Sequence, residues 1–193
     1  MILVIDNYDS FSYNLVQMAG TIDSNIKIIR NDEKSCEEII SMNPSHIIIS
    51  SGPGHPQDTG ICKGVVENMM KQVPILGIGL GHQVICEFFG ASIIPSKNPM
   101  HGKKSSIHIA NGNAIFKGLP PVIQGARYNS RQVARTSLPD TLLIIAEDGN
   151  EEVMGIKHRD YEIYGLQFHP ESILTPRGSV IINNFLQTGG AKL

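Results

Sequence analysis

Continuous apolar runs alternate with amphipathic stretches through the first half of the chain. Ile2 to Ile5, His46 to Ile49, Ile75 to Ile78 and, near the end, Ile163 to Phe168 are apolar without polar alternation. That is the pattern of strands covered on both faces. Lys27 to Arg30 predicts an outer strand. Phe11 to Ala19, Cys36 to Met42, Ile61 to Lys71 and Gln83 to Phe89 carry apolar residues at helical spacing between the strands. Strand and helix in this rhythm predict an α/β fold, a mainly parallel twisted sheet with helices on both faces.

From about Ser92 the rhythm changes. Ser105 to Ile109, Gln124 to Tyr128 and Leu142 to Ala146 are shorter β-like pieces separated by Gly and Pro. They predict a smaller antiparallel region flanking the parallel core. A last helix, Val180 to Leu186, is expected to return over the sheet. A chain of 193 residues supports one α/β domain with a real core, expected to span 1–193.

Composition narrows the function classes. Hydrophobic residues make up 41% and charged residues 18%, an ordinary soluble balance. A net charge of −2 gives no electrostatic case for nucleic acid or an anionic membrane surface. No apolar run has the length of a membrane span, and the chain opens on Ile2-Leu3-Val4-Ile5 without a basic leader, so no signal peptide is expected. Cys36, Cys62 and Cys86 are an odd set without metal-ligand spacing, which suits a reducing cytoplasm. No metal site or cofactor is expected. Asp148, Glu151 and Glu152 read as solvated turn residues, and His46, His108 and His158 as scattered surface or core filler.

Ligands of open parallel sheets bind beyond the carboxyl ends of the strands, so the loops after Ile5, Ile49, Ile78 and Phe168 hold the candidate chemistry. After the third core strand comes Gly77-Ile78-Gly79-Leu80-Gly81-His82-Gln83. A strand turning into a helix through G-x-nucleophile-x-G is a nucleophile elbow, whose helix-start amides can hold an oxyanion. The central position here is Gly79, which has no side chain to aim. A dinucleotide fingerprint fails on spacing because position 82 is His; a packing turn remains an open alternative for this loop taken alone. The last core strand leads into His169-Pro170-Glu171, in which a carboxylate two residues from an imidazole can hold the ring as a general base. A capped surface turn is the bland alternative. Ser50-Ser51-Gly52-Pro53-Gly54 follows the second core strand, a rigid turn whose amides can face inward.

Together the three loops resemble the class I, triad-type glutamine amidotransferases, which have a flavodoxin-like fold of this type. The opening Asp6-Asn7-Tyr8-Asp9-Ser10-Phe11, the stretch Met100-His101-Gly102-Lys103 and the run Pro170 to Thr175 are similar to the small subunits of anthranilate synthase and aminodeoxychorismate synthase. The resemblance covers essentially the whole chain. It implies that glutamine is hydrolysed and its ammonia delivered to a larger chorismate-binding synthase subunit. It also implies His169 as base and Glu171 as its orienting carboxylate. Gly52, Gly54 and Leu80 fall in the oxyanion region, and Gln83, Ser130 and Arg131 border the substrate's amino-acid end. The nucleophile, a cysteine in the family, maps to Gly79. Two further departures are Ser51 in place of a proline and Asn129-Ser130-Arg131 in place of H-S-L.

Gly79 is then a deliberate change that traps glutamine, a modified cysteine written as glycine, or the mark of a natural pseudoenzyme. Cys86 lies seven residues on along the elbow helix, too far to substitute, and Cys36 and Cys62 read as buried inert thiols. A non-catalytic binding subunit of an ammonia-using synthase is the alternative function, and a stand-alone hydrolase of a γ-glutamyl peptide ranks third. Glycine relaxes the strained backbone expected at an elbow, which predicts a fold at least as stable as the cysteine form.

Overall fold

The computed structural model describes residues 1–189; the last four positions of the expected 1–193 domain lie outside the described residues. The first half runs β1 (Ile2–Asp6), α1 (Ser12–Gly20), β2 (Ile26–Arg30), α2 (Cys36–Ser41), β3 (His46–Ile49), α3 (Cys62–Met69), β4 (Ile75–Ile78) and α4 (Leu80–Phe88). The second half runs β5 (Ile93–Pro95), β6 (Lys103–Ile109), β7 (Val122–Arg127), β8 (Arg131–Val133), β9 (Leu142–Asp148), β10 (Val153–His158), β11 (Ile163–Leu166) and α5 (Gly178–Leu186).

Nine strands form one sheet in the order β2-β1-β3-β4-β11-β10-β9-β6-β7. The pairs from β2 through β11 are parallel, and the spatial order of these five strands is that of flavodoxin-like folds. The fully apolar runs are the central strands: every residue of β1, β4 and β11 is buried. One face carries α1 and α5, with Leu15, Ala19, Ile181 and Phe185 in its core. The other carries α2, α3 and α4, with Ile39, Val65, Val66, Val84 and Ile85. Each such side chain, once buried, contributes roughly 1.5–3 kcal/mol, so helices on both faces follow from apolar residues on both faces.

The antiparallel strands extend the same sheet instead of forming a separate region, because β10 pairs with β11 and carries the edge onward to β9, β6 and β7. A small second sheet joins β5 to β8. The β10 strand has no clear apolar period in sequence: Gly155 interrupts it, and the register slips beside that residue against β9. Helix α4 begins at Leu80, three residues before the amphipathic pattern starts, because a glycine-rich turn conceals the first turn.

Candidate active site

The parallel strands deliver their loops to one end of the sheet, and three of these loops meet there. Gly79 sits between β4 and α4 at φ 55° and ψ −108°, a conformation that L side chains rarely adopt. The flanking glycines permit the sharp turn. A Cβ on Gly77 would fall 2.4 Å from the Gly81 carbonyl oxygen, and one on Gly81 would fall 2.3 Å from that of Ile49. The Gly79 amide donates to the Leu166 carbonyl at 2.8 Å, which ties the elbow to the neighbouring strand.

Beyond β11, His169 and Glu171 are almost fully buried, at 2% and 6% exposure. His169 Nδ1 lies 2.7 Å from Glu171 Oε1. A carboxylate only accepts, so Nδ1 carries the proton and Nε2 is left with its lone pair. That Nε2 faces the elbow: a Cβ built on Gly79 would lie 3.2 Å from it. The loop is pinned on both sides. The His169 amide donates to the Ala126 carbonyl at 2.9 Å, and Thr175 Oγ1 donates to the His169 carbonyl at 2.6 Å. The ring of Tyr128 packs edge-on against the imidazole at 4.9 Å between centroids.

Gly52, Gly54, Gly79, Leu80, Gln83, Ser130, Arg131 and His169 line one cavity of about 160 Å³, with Ser51, Tyr128 and Gln167. Glu171 stands behind His169 instead of lining it. Drug-sized ligands take roughly 300–1,000 Å³, so this cavity suits a small polar molecule. Gly52 is there because its backbone presses on the loop after β1, where a Cβ would meet the Asn7 carbonyl oxygen at 2.2 Å. Arg131 Nη1 donates to the Gly54 carbonyl at 3.0 Å, bridging two rims. Gln83 Nε2 donates to Gln167 Oε1 at 2.9 Å and to the Arg131 carbonyl at 3.3 Å. Ser130 is exposed at the rim, and its carbonyl accepts from the Ser96 amide at 2.9 Å.

Three features lay outside the sequence reading. Asp9, in the loop after β1, places its carboxylate with His169 and Glu171 in a group whose candidate ligand atoms all lie within 4.8 Å of one another. Burial pushes Asp9 above the usual carboxylate range, and the nearby Glu171 adds to this. Its signal was the Asp6 to Phe11 motif, which named the loop but not the contact. Gln167 joins the cavity from the strand end just before His169.

The third feature is a buried charge network, and it corrects the reading of Asp148 and Glu152 as solvated. Both are buried, at 6% and 7% exposure, around a guanidinium with none. Arg127 Nη1 donates to Asp148 Oδ2 at 2.8 Å. Nη2 lies 2.6 Å from Glu152 Oε1 at an angle that makes the contact electrostatic rather than hydrogen-bonded. Arg127 Nε donates to Asn129 Oδ1 at 3.1 Å, and Asn129 Nδ2 donates to the Arg131 carbonyl and to Glu152 Oε1. Asn129 therefore turns its amide into this network, and the network holds the loop that presents Ser130 and Arg131.

The thiols are remote from the elbow's chemistry. Cys86 is fully buried and its thiol is pushed up by burial. Burial pushes Cys62 up to about 12, and its Sγ donates to Asn7 Oδ1 at 3.2 Å. Cys36 is only partly buried, unlike the inert core thiol expected there. His158 is a capped core residue whose Nδ1 accepts from the Asp160 and Tyr161 amides. Among the described residues no helix is long and apolar enough to cross a membrane.

With this geometry in place, the comparisons with known proteins agree. A family model described as Glutamine amidotransferase class-I matches residues 3–188. The chain is 43% identical over 198 residues to anthranilate synthase component 2 of Pseudomonas aeruginosa, covering 100% of this chain and 98% of that protein. It is 40% identical over 188 residues to aminodeoxychorismate/anthranilate synthase component 2 of Bacillus subtilis, covering 97% and 96%. Bifunctional protein TrpGD of Thermotoga maritima is 48% identical over 187 residues, 96% of this chain, but the chain spans only 32% of that protein's length. Among solved structures, a GMP synthase protein of Thermoplasma acidophilum superposes with a TM-score of 0.86 at 28% identity, covering 96% of this chain and 91% of that one.

Proposed function

This chain belongs to the class I glutamine amidotransferase family, and on that premise we propose that it is the glutamine-handling subunit of a chorismate-aminating synthase. In this reading it is one domain over the whole chain, works in the cytoplasm, binds glutamine and passes ammonia to a larger chorismate-binding partner. Anthranilate synthase component 2 is the favoured role and aminodeoxychorismate synthase component 2 the close second. The relatives' names support this, and so does the exposed apolar surface around the site. Ile173, three residues past Pro170, is 94% exposed, and Tyr13, at the start of α1, is 71% exposed. Such side chains next to a reaction site suit burial by a partner.

The observation that carries the reading is the His169–Glu171 pair, with Nε2 aimed at the elbow across a small polar cavity. His169 is the general base and Glu171 holds its tautomer. The amides of Gly54 and Leu80 lie where a carbonyl oxygen develops charge. Gln83 and the Ser130–Arg131 backbone hold the substrate's amino-acid end. Gly79 supplies no nucleophile, so glutamine hydrolysis is impaired or lost. Removing a nucleophile leaves on the order of 10³–10⁴ over water from oxyanion and binding contributions.

A non-catalytic partner subunit is the second reading, favoured by the Ser51 side chain standing where an elbow side chain would project. Product formation by the reconstituted complex separates the outcomes. With ammonium ion the complex is expected to aminate chorismate at full rate, and with glutamine at least about 10³-fold more slowly. Equal rates from both nitrogen sources would overturn the impairment, and failure to bind any chorismate-using partner would overturn the role.

A further inference from the structure

We propose that Ser51 is the nucleophile of this site, standing in for the side chain that Gly79 lacks. The assignment rests on the amidotransferase reading and names the atom that attacks. A Cβ built on Gly79 would lie 2.3 Å from Ser51 Oγ, so the hydroxyl occupies the volume into which an elbow side chain projects. The same Cβ would lie 3.2 Å from His169 Nε2, so hydroxyl and base flank one point. The Leu80 amide, at the start of α4, lies 3.4 Å from Ser51 Oγ and donates to it. That donation favours negative charge on the oxygen, as helix N-termini do.

Ser51 Oγ and His169 Nε2 share no hydrogen bond before substrate binds. Catalytic hydrogen bonds are often long in the free enzyme and tighten with substrate, and rotation about the Ser51 Cα–Cβ bond moves Oγ without moving the loop. A proline at this position, as in the family pattern, has no hydroxyl. The departures at 51 and 79 therefore form one change: the reactive oxygen arrives on the β3 loop where the reactive sulfur left the β4 elbow.

The chemistry balances with groups already present. Ser51 Oγ attacks the side-chain carbonyl carbon of glutamine while its proton passes to His169 Nε2. The C–N bond then breaks, His169 returns the proton to the departing nitrogen, and ammonia leaves. The product is a γ-glutamyl ester on Ser51. Water attacks the ester, giving its proton to His169. The C–O bond to Ser51 breaks, the proton returns to Oγ, and glutamate leaves. A hydroxyl is a weaker nucleophile than a thiolate, so turnover is slow. The competing nucleophile is a water above Gly79, which forms no covalent intermediate.

The test uses the complex with its chorismate-using partner and a glutamine analogue bearing an electrophilic chloroketone in place of the amide. Intact mass and peptide mapping are expected to find one adduct, on the peptide containing Ser51. Ser51→Ala is expected to abolish the adduct and lower glutamate release from glutamine at least 10-fold. Ser51→Cys, which keeps a nucleophile in place, is expected to label faster than the parent. Calorimetric titration with glutamine runs alongside. If glutamine binds, but the adduct maps elsewhere or Ser51→Ala releases glutamate at the parental rate, the assignment falls and the amidotransferase reading stands. If glutamine gives no binding heat, both fall.

Discussion

Restoring a cysteine at the elbow by Gly79→Cys alone is expected to destabilise the protein. Two costs add. The backbone at φ 55° and ψ −108° holds a non-glycine residue in a sparsely populated region, worth about 1–3 kcal/mol. The new Cβ also meets Ser51 Oγ at 2.3 Å and Ser51 Cβ at 2.8 Å. Rotating the hydroxyl relieves the first contact but not the second, and overpacking of this kind costs about 1–3 kcal/mol. Near the middle of the summed range, about 3–4 kcal/mol, Tm falls by roughly 6–16 °C for a chain of this size. The assay is thermal unfolding of the four proteins of a double-mutant cycle: parent, Gly79→Cys, Ser51→Gly and the pair. The steric share predicts a coupling of about 1–2 kcal/mol that favours the pair. A Gly79→Cys protein at or above the parental Tm, or a strictly additive cycle, would refute the interlock between the two loops.

Arg127→Met strands Asp148 and Glu152 as buried unpaired carboxylates and is expected to cost about 3–5 kcal/mol in chemical denaturation; a loss under 1 kcal/mol contradicts the network's role. In the Ser51→Gly/Gly79→Cys background, Glu171→Gln removes the charged acceptor of His169 Nδ1. Its kcat is expected to fall roughly 10²–10⁴-fold with KM little changed, and an unchanged kcat sinks the dyad assignment. Burial holds the fully enclosed His82 at about 3. The unfolded chain therefore takes up a proton below about 6.5 that the native state refuses. This group's stabilising contribution is complete above that pH and declines as pH falls toward 3, by up to about 1.4 kcal/mol per pH unit. Denaturation midpoints of the parent and His82→Gln between pH 7 and 4 check this: the variant's pH dependence is expected to be shallower, and parallel curves would count against it.

Long-range contacts mark where sequence reasoning stopped. The parallel core was legible because β1, β3, β4 and β11 are buried on both faces and cannot alternate. The loops after β3, β4 and β11 were legible because Gly, Pro and His cluster at strand ends, where this architecture places ligands. Strand β10 was not, since Gly155 and a register slip erase its period. Asp148 and Glu152 misled for a different reason: short acidic residues beside Gly149 and Asn150 look like a turn, and their partner Arg127 lies a strand away. Ser51 was visible as a departure from the family pattern. Its contact with the elbow, 29 residues on at Leu80, appears only once β3 and β4 lie side by side.

The central claim is that an intact amidotransferase site lacks only its elbow nucleophile. Glutamate release from glutamine tests it most directly, measured for the Ser51→Gly/Gly79→Cys pair and the parent, each bound to its partner with chorismate present. The account predicts that the pair outpaces the parent by at least about 10³-fold. A folded, partner-bound pair that releases glutamate no faster than the parent would contradict it.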